Sequence, residues 1–155
     1  IASTVLELSS FEVRTLNVGD LDNDGDMDLV LEGNFGVGFS AVLSDGFLGI
    51  EASQHYEDGR FNSQFGEGLA DVDGDGDLDI LRANTQVLAN RLVEAPYEVW
   101  LNDGGAGFSP TNEVQVPFLE GEGLDVEVGD LNGDDIDDVY LCGLGSRDAV
   151  WLGVR

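Results

Sequence analysis

The sequence predicts an all-β protein built from repeated four-stranded antiparallel units, about three to the chain. Three observations predict it. The aspartates are concentrated: of 20 in the 155-residue chain, 15 fall in the windows DLDNDGDMD (20–28), DVDGDGDLD (71–79) and DLNGDDIDD (130–138). The windows begin 51 and then 59 residues apart, a period that suits propeller blades or similar arrays. Between them, short aliphatic or β-branched runs alternate with Gly/Asp/Asn clusters, and no helical period is sustained.

Composition sets the outer limits. At 42% hydrophobic the chain is too apolar for a disordered segment. Thirty-two acidic residues against six arginines and no lysine give a formal charge of −26. Such a surface repels phosphate backbones and anionic lipid, which argues against nucleic acid and against basic membrane-surface helices as partners. No apolar run reaches the ~18 residues of a membrane span. A start at Ile1 rather than Met reads as that of a processed or excised piece. The single cysteine, Cys142 in YLCGL, reads as a buried inert thiol. The one histidine, His55 in QHYEDGR, reads as a solvated loop residue.

The units are then justified in order. Residues 4–8 of STVLELSS resemble the start of TNEVQVPFLEGEG (111–123) and read as the fourth strand of a shared blade. Blade one is expected over 12–66, with TLNVGD before its acidic window, LVLEG after it, and SAVLSDG further on. Blade two is expected over 67–122, with strands at about 68–72, 78–82, 97–101 and 113–118. Its segment 84–96, NTQVLANRLVEAP, has no counterpart in blade one and reads equally as a helical turn or a loop. Blade three is expected over 123–155 and lacks its fourth strand. Trp100 and Trp151 occupy equivalent places, with Val42 at the third; repetition at one blade position favours packing over a sugar-stacking platform.

Each acidic window joins the first strand of a unit to the second. Several carboxylates within nine residues repel one another unless protonated or bound to a cation, and a hard, oxygen-seeking ion such as Ca²⁺ is the economical solution. Positions one, three, five and nine offer side chains, position six turns the chain and position seven offers its carbonyl. The expected ligands are Asp20, Asp22, Asp24 and Asp28 with the Asp26 carbonyl, turning at Gly25. In the second window they are Asp71, Asp73, Asp75 and Asp79 with the Asp77 carbonyl, turning at Gly76. In the third they are Asp130, Asn132, Asp134 and Asp138 with the Ile136 carbonyl; Asp135 replaces the turning glycine, so its affinity is expected to be lowest. Up to three Ca²⁺ per chain follow. EF-hands are rejected, because position twelve is Leu31, Arg82 or Leu141 rather than glutamate and the flanks are strand-like. Ordinary acidic turns do not explain a triple recurrence at fixed offsets.

The D-x-D-x-D-G-x-x-D windows resemble the FG-GAP/VCBS repeat family of integrin α-type β-propellers. So do Phe65-Gly66 ahead of the second window and VWLNDGGAGF (99–108) after it. The resemblance implies four-stranded antiparallel blades around an axis, Ca²⁺ clipping the hairpin between strands one and two, and a structural role for the metal. It also implies adhesion, ligand binding or assembly of a surface structure, outside the cell or on its surface. No nucleophile–base pair, histidine cluster or phosphate loop is present, so no enzyme activity is expected. The alternative is an accessory or lectin-like carbohydrate-binding propeller of a secreted enzyme. Three blades do not close a ring. The expected completion is a shared blade with a second chain, giving a six-bladed dimeric ring or a head-to-tail filament, or else a longer tandem propeller.

Overall fold

The computed structural model describes residues 12–33, 38–47, 49–57, 62–88, 91–94, 97–111, 122–144 and 148–153. Residues 4–8 and 113–118, both expected as strands, lie outside these. The described residues form strands β1 (Val13–Gly19), β2 (Asp28–Gly33), β3 (Phe39–Ser44), β4 (Ile50–Tyr56), β5 (Asn62–Ala70), β6 (Asp79–Leu88), β7 (Arg91–Glu94), β8 (Glu98–Leu101), β9 (Ser109–Thr111), β10 (Glu122–Gly129), β11 (Asp138–Leu144) and β12 (Ala149–Trp151), and no helix. Three antiparallel sheets result: β1-β2-β3-β4, β5-β6-β8-β9 with β7 beside β6, and β10-β11-β12. They are open sheets with the strand succession of propeller blades.

Each acidic window is the loop of the first hairpin in its sheet. Gly19 pairs with Asp28, Ala70 with Asp79 and Gly129 with Asp138. The three hairpins even share a ladder irregularity five residues ahead of the loop, at Val13/Thr15, Gln64/Gly66 and Gly123/Asp125. Local turn chemistry therefore sets register identically three times.

Side-chain alternation then stacks one sheet on the next. In β6, Ile80 joins a core with Val30, Phe39, Tyr56, Trp100 and Phe108, between the first and second sheets. The next residue, Leu81, joins Val99, Val126, Val139 and Leu141 between the second and third. Phe39 stacks on Tyr56 at 4.8 Å and meets the edges of Trp100 and Phe108 at 5.1 and 5.8 Å, a favourable aromatic arrangement. Trp100 is thus core, and Trp151 packs beside the second core. The register makes them equivalent: Leu29 faces Val42, Ile80 faces Trp100 and Val139 faces Trp151.

The first strands β1, β5 and β10 lie side by side around a groove of about 340 Å³. Glycine makes the approach of β10 to β5 possible. A Cβ on Gly66 would lie 2.4 Å from the Asp125 Cα, and one on Gly68 would strike Val126 and Val128 at 2.9 Å.

Several local expectations need correction. The described residues of segment 84–96 form neither a helical turn nor a plain loop: β6 continues to Leu88 and β7 (Arg91–Glu94) pairs back along it, Thr85 with Glu94 and Leu88 with Arg91. Its β-branched Thr85, Val87 and Val93 suit extended backbone. In the second sheet β5 and β6 are longer than expected, running Asn62–Ala70 and Asp79–Leu88, and the last described strand is at Ser109–Thr111. His55 lies on strand β4 rather than in a loop; it is exposed, and its Nδ1 is 3.0 Å from Ser40 Oγ. Cys142 is half-buried rather than buried, on β11.

Candidate metal centre

The nine-residue loops share one hydrogen-bond scheme, dictated by where carboxylates can reach main-chain N–H groups. The N–H of position six donates to the position-one carboxylate at 3.0 Å in every loop: Gly25 to Asp20, Gly76 to Asp71 and Asp135 to Asp130. The N–H of position seven donates to position five: Asp26 to Asp24 at 2.8 Å, Asp77 to Asp75 at 3.0 Å and Ile136 to Asp134 at 3.0 Å. These Asx-type bonds wrap the chain around its own carboxylates.

The turn needs left-handed backbone at two places. Position six is Gly25, Gly76 and Asp135, with φ of 94°, 99° and 62°. The turning residue predicted from glycine is therefore the turning residue found, and Asp135 adopts it despite its Cβ. Position four, which sequence reasoning passed over, is left-handed as well: Asn23 at 61°, Gly74 at 84° and Gly133 at 83°. Its signal was present, since Asn and Gly are the residues that tolerate this region most readily.

The ninth aspartate differs from the others. Asp28, Asp79 and Asp138 are buried, at 1%, 0% and 0% exposure. One oxygen of each accepts the N–H of position two (Leu21, Val72, Leu131) at 2.9–3.0 Å. The other accepts an N–H beyond the sheet's third strand or at its end: Ser44, Asn102 and Gly153 at 2.8, 2.8 and 2.7 Å. Each therefore staples the loop to the third strand of its own sheet. Burial pushes the Asp79 carboxyl up to about 6, opposed by the N–H donors of Asn102 and Val72.

Carboxylate oxygens converge in two loops. One oxygen each of Asp20, Asp22 and Asp24 lies within 4.8 Å of the others, and so do those of Asp71, Asp73 and Asp79. Asp22 and Asp73 are raised above the usual carboxylate range, by desolvation first and then by the neighbouring Asp24 and Asp75. Asp20 Oδ1 is buried with no hydrogen-bond partner. A buried carboxylate oxygen with a free lone pair, facing others that repel it, fits an oxygen-coordinated hard cation. Asp26 and Asp77 turn their side chains away, towards Gly46 and Gly104 of the following strand loop.

The third loop satisfies itself more fully. Asp130 accepts from Gly133, Asp134 and Asp135, bonds that hold its carboxyl below the usual range. Asn132 Nδ2 lies 3.4 Å from Asp138 Oδ1. Among the described residues its acidic groups do not gather as the other two sets do.

A second cluster went unnoticed in the sequence. Arg82 is fully buried between the first two sheets, with Nε and Nη2 on Glu32 Oε1 at 3.1 and 2.8 Å. Glu98 Oε2 is 3.6 Å from Nη1, and Glu67 Oε2 is 4.0 Å from Nε. Burial, then Glu32, push the Glu67 carboxyl up to about 8, with Arg82 opposing. The cluster supports the interface between sheets and lies apart from the loops.

Compared with known families, residues 71–141 match the model of the FG-GAP-like repeat, a stretch that runs from the second acidic loop through the third and into β11. No curated protein matches the chain.

Proposed function

We propose for this chain, whose residues 71–141 match the FG-GAP-like repeat, the role of a non-catalytic, calcium-stabilised β-propeller module that works outside the cell or on its surface. The observation that carries this is the buried, unbonded Asp20 Oδ1 among the converging carboxylates of the first loop. Asp20, Asp22 and Asp24 with the Asp26 carbonyl would hold Ca²⁺ there. Asp71, Asp73, Asp75 and Asp79 with the Asp77 carbonyl would do so in the second loop. Bound cation supplies charge neutralisation. The chain's own share is the fixed turn, the Asp28 and Asp79 staples, and rigid sheets that present the opposite surfaces to a protein or glycan ligand. Extracellular modules bind calcium at roughly 10⁻⁴–10⁻³ M, which suits an outside location. The carbohydrate-platform alternative draws no support from Trp100, which is 6% exposed.

Further blades belong beside the first sheet. Leu16 and Val18 are 55% and 53% exposed, whereas their repeat equivalents Glu67, Leu69, Val126 and Val128 pack against the preceding sheet. A blade of a second chain, in a six-bladed ring or head-to-tail filament, or one of the same longer protein, would cover them. Light-scattering mass in calcium distinguishes these: a stable monomer rules out self-association of this chain.

Calorimetric titration with CaCl₂ and melting with and without chelator test the metal. At about 100-fold excess over Kd, each occupied loop adds about 2.7 kcal/mol, so melting should rise by several degrees. Unchanged melting together with no binding heat would falsify the calcium reading.

A further inference from the structure

The first two acidic loops are bonded to each other, chiefly by a side chain that belongs to neither. Asn102 follows β8 and is 6% exposed. Its Nδ2 donates to the Leu21 carbonyl of the first loop at 2.8 Å and to the Leu78 carbonyl of the second at 3.1 Å. Its N–H donates to Asp79 Oδ1 at 2.8 Å, and its Oδ1 accepts from Gly104 at 3.2 Å. On the surface Asn23 Nδ2 donates to Asp77 Oδ1 at 2.6 Å, again from loop to loop. Gly153 takes the place of Asn102 in the third sheet, where its N–H bonds Asp138. Having no side chain, it cannot reach back to the second loop.

We infer that Asn102, assisted by Asn23, is a positioning residue that ties the first two loops together, so that a cation entering one strengthens binding in the other while the third loop fills on its own. This rests on the calcium reading above. Leu21 lies between the expected ligands Asp20 and Asp22. Its N–H is held by Asp28 of its own blade and its carbonyl by Asn102 of the next. Drawing Asp71, Asp73 and Asp79 around a cation fixes Asp79 and Leu78, hence the Asn102 amide, hence Leu21. Part of the ordering that the first loop needs is then already complete, which is positive coupling without a large movement.

The test follows the Gly25 and Gly76 amide resonances of the full chain during CaCl₂ titration, since each reports one loop. In the native background Asp73→Ala should weaken calcium binding at Gly25 at least about fivefold. In an Asn102→Asp background, which keeps the acceptor for Gly104 and removes the bridging donor, Asp73→Ala should change it less than about twofold. Asn23→Gly, at an exposed site with φ of 61°, keeps the left-handed turn while removing the donor to Asp77, should reduce the coupling and serves where Asn102→Asp does not fold. First-loop affinity indifferent to Asp73→Ala in the native background, or equally dependent on it without the bridge, overturns the coupling and leaves the calcium reading standing. No shift at either glycine in the native chain removes both.

Discussion

Arg82 and Glu32 form an ion pair of 2.8 Å between the first two sheets, with both side chains at 0% exposure. Fifty residues apart in sequence, they meet because β6 and β2 turn these side chains to one interface. Removing one partner strands the other charge away from water, which typically costs about 3–5 kcal/mol. Arg82→Met should therefore lower stability in urea by about that amount, and Arg82→Met with Glu32→Leu should recover most of it. A single variant within 1 kcal/mol of the native chain would show that water reaches the pair.

Glu67 gives the interface a pH dependence. Its folded value of about 8 lies above its ordinary 4.5. The folded chain therefore binds this proton more tightly than the unfolded one. Its contribution is complete below about 4.5 and is lost as pH rises to about 8, with a slope of at most about 1.4 kcal/mol per unit. Urea unfolding at pH 6 and pH 8.5 should show it, after comparison with Glu67→Gln, which keeps a neutral side chain and should lack this component. Equal slopes for both proteins would mean that Glu67 is ionised in the fold.

Tyr56 clamps the same interface through its phenol, which donates to the Ala106 carbonyl at 2.6 Å and accepts from the Phe108 N–H at 3.3 Å. Tyr56→Phe retains the ring stack and leaves a buried carbonyl without that donor. A loss of about 1–3 kcal/mol is expected, read from the denaturant midpoint. No loss would indicate that the loop at Ala106 repacks freely.

The left-handed sixth position can be varied in both directions. Gly25→Ala meets no atom within 4 Å, so its cost is backbone alone, about 1–2 kcal/mol. Asp135→Gly removes such strain from the third loop, where φ is 62°, and should be neutral to about 1 kcal/mol stabilising. Thermal melting in chelator isolates these effects from metal; stabilisation by Gly25→Ala would contradict the assigned turn.

The hairpins and their loops were legible because everything that fixes them is close in sequence. Gly25, Gly76 and the aspartates around them specify a turn, and alternation on either side specifies two strands. The same logic failed at 84–96, where an insertion without a repeat partner gave no frame for comparison, although its β-branched residues favoured the hairpin that forms. It also passed over Asn23, Gly74 and Gly133, whose residue types carried the signal but whose place in the turn did not coincide with a ligand position.

The sequence alone determined the three-fold repeat, the strand–loop–strand register and the carboxylates of each loop, since these depend on neighbours a few residues apart. Only the tertiary structure decided which polar groups are shared between sheets. Alternation tells which face Glu32, Glu67, Arg82 and Asn102 occupy, not what stands opposite. Sheet-on-sheet packing brings together residues about 50 or more positions apart, and burial there turns an arginine into an ion-pair anchor, raises the pKa of a glutamate and makes an asparagine the bridge between two loops.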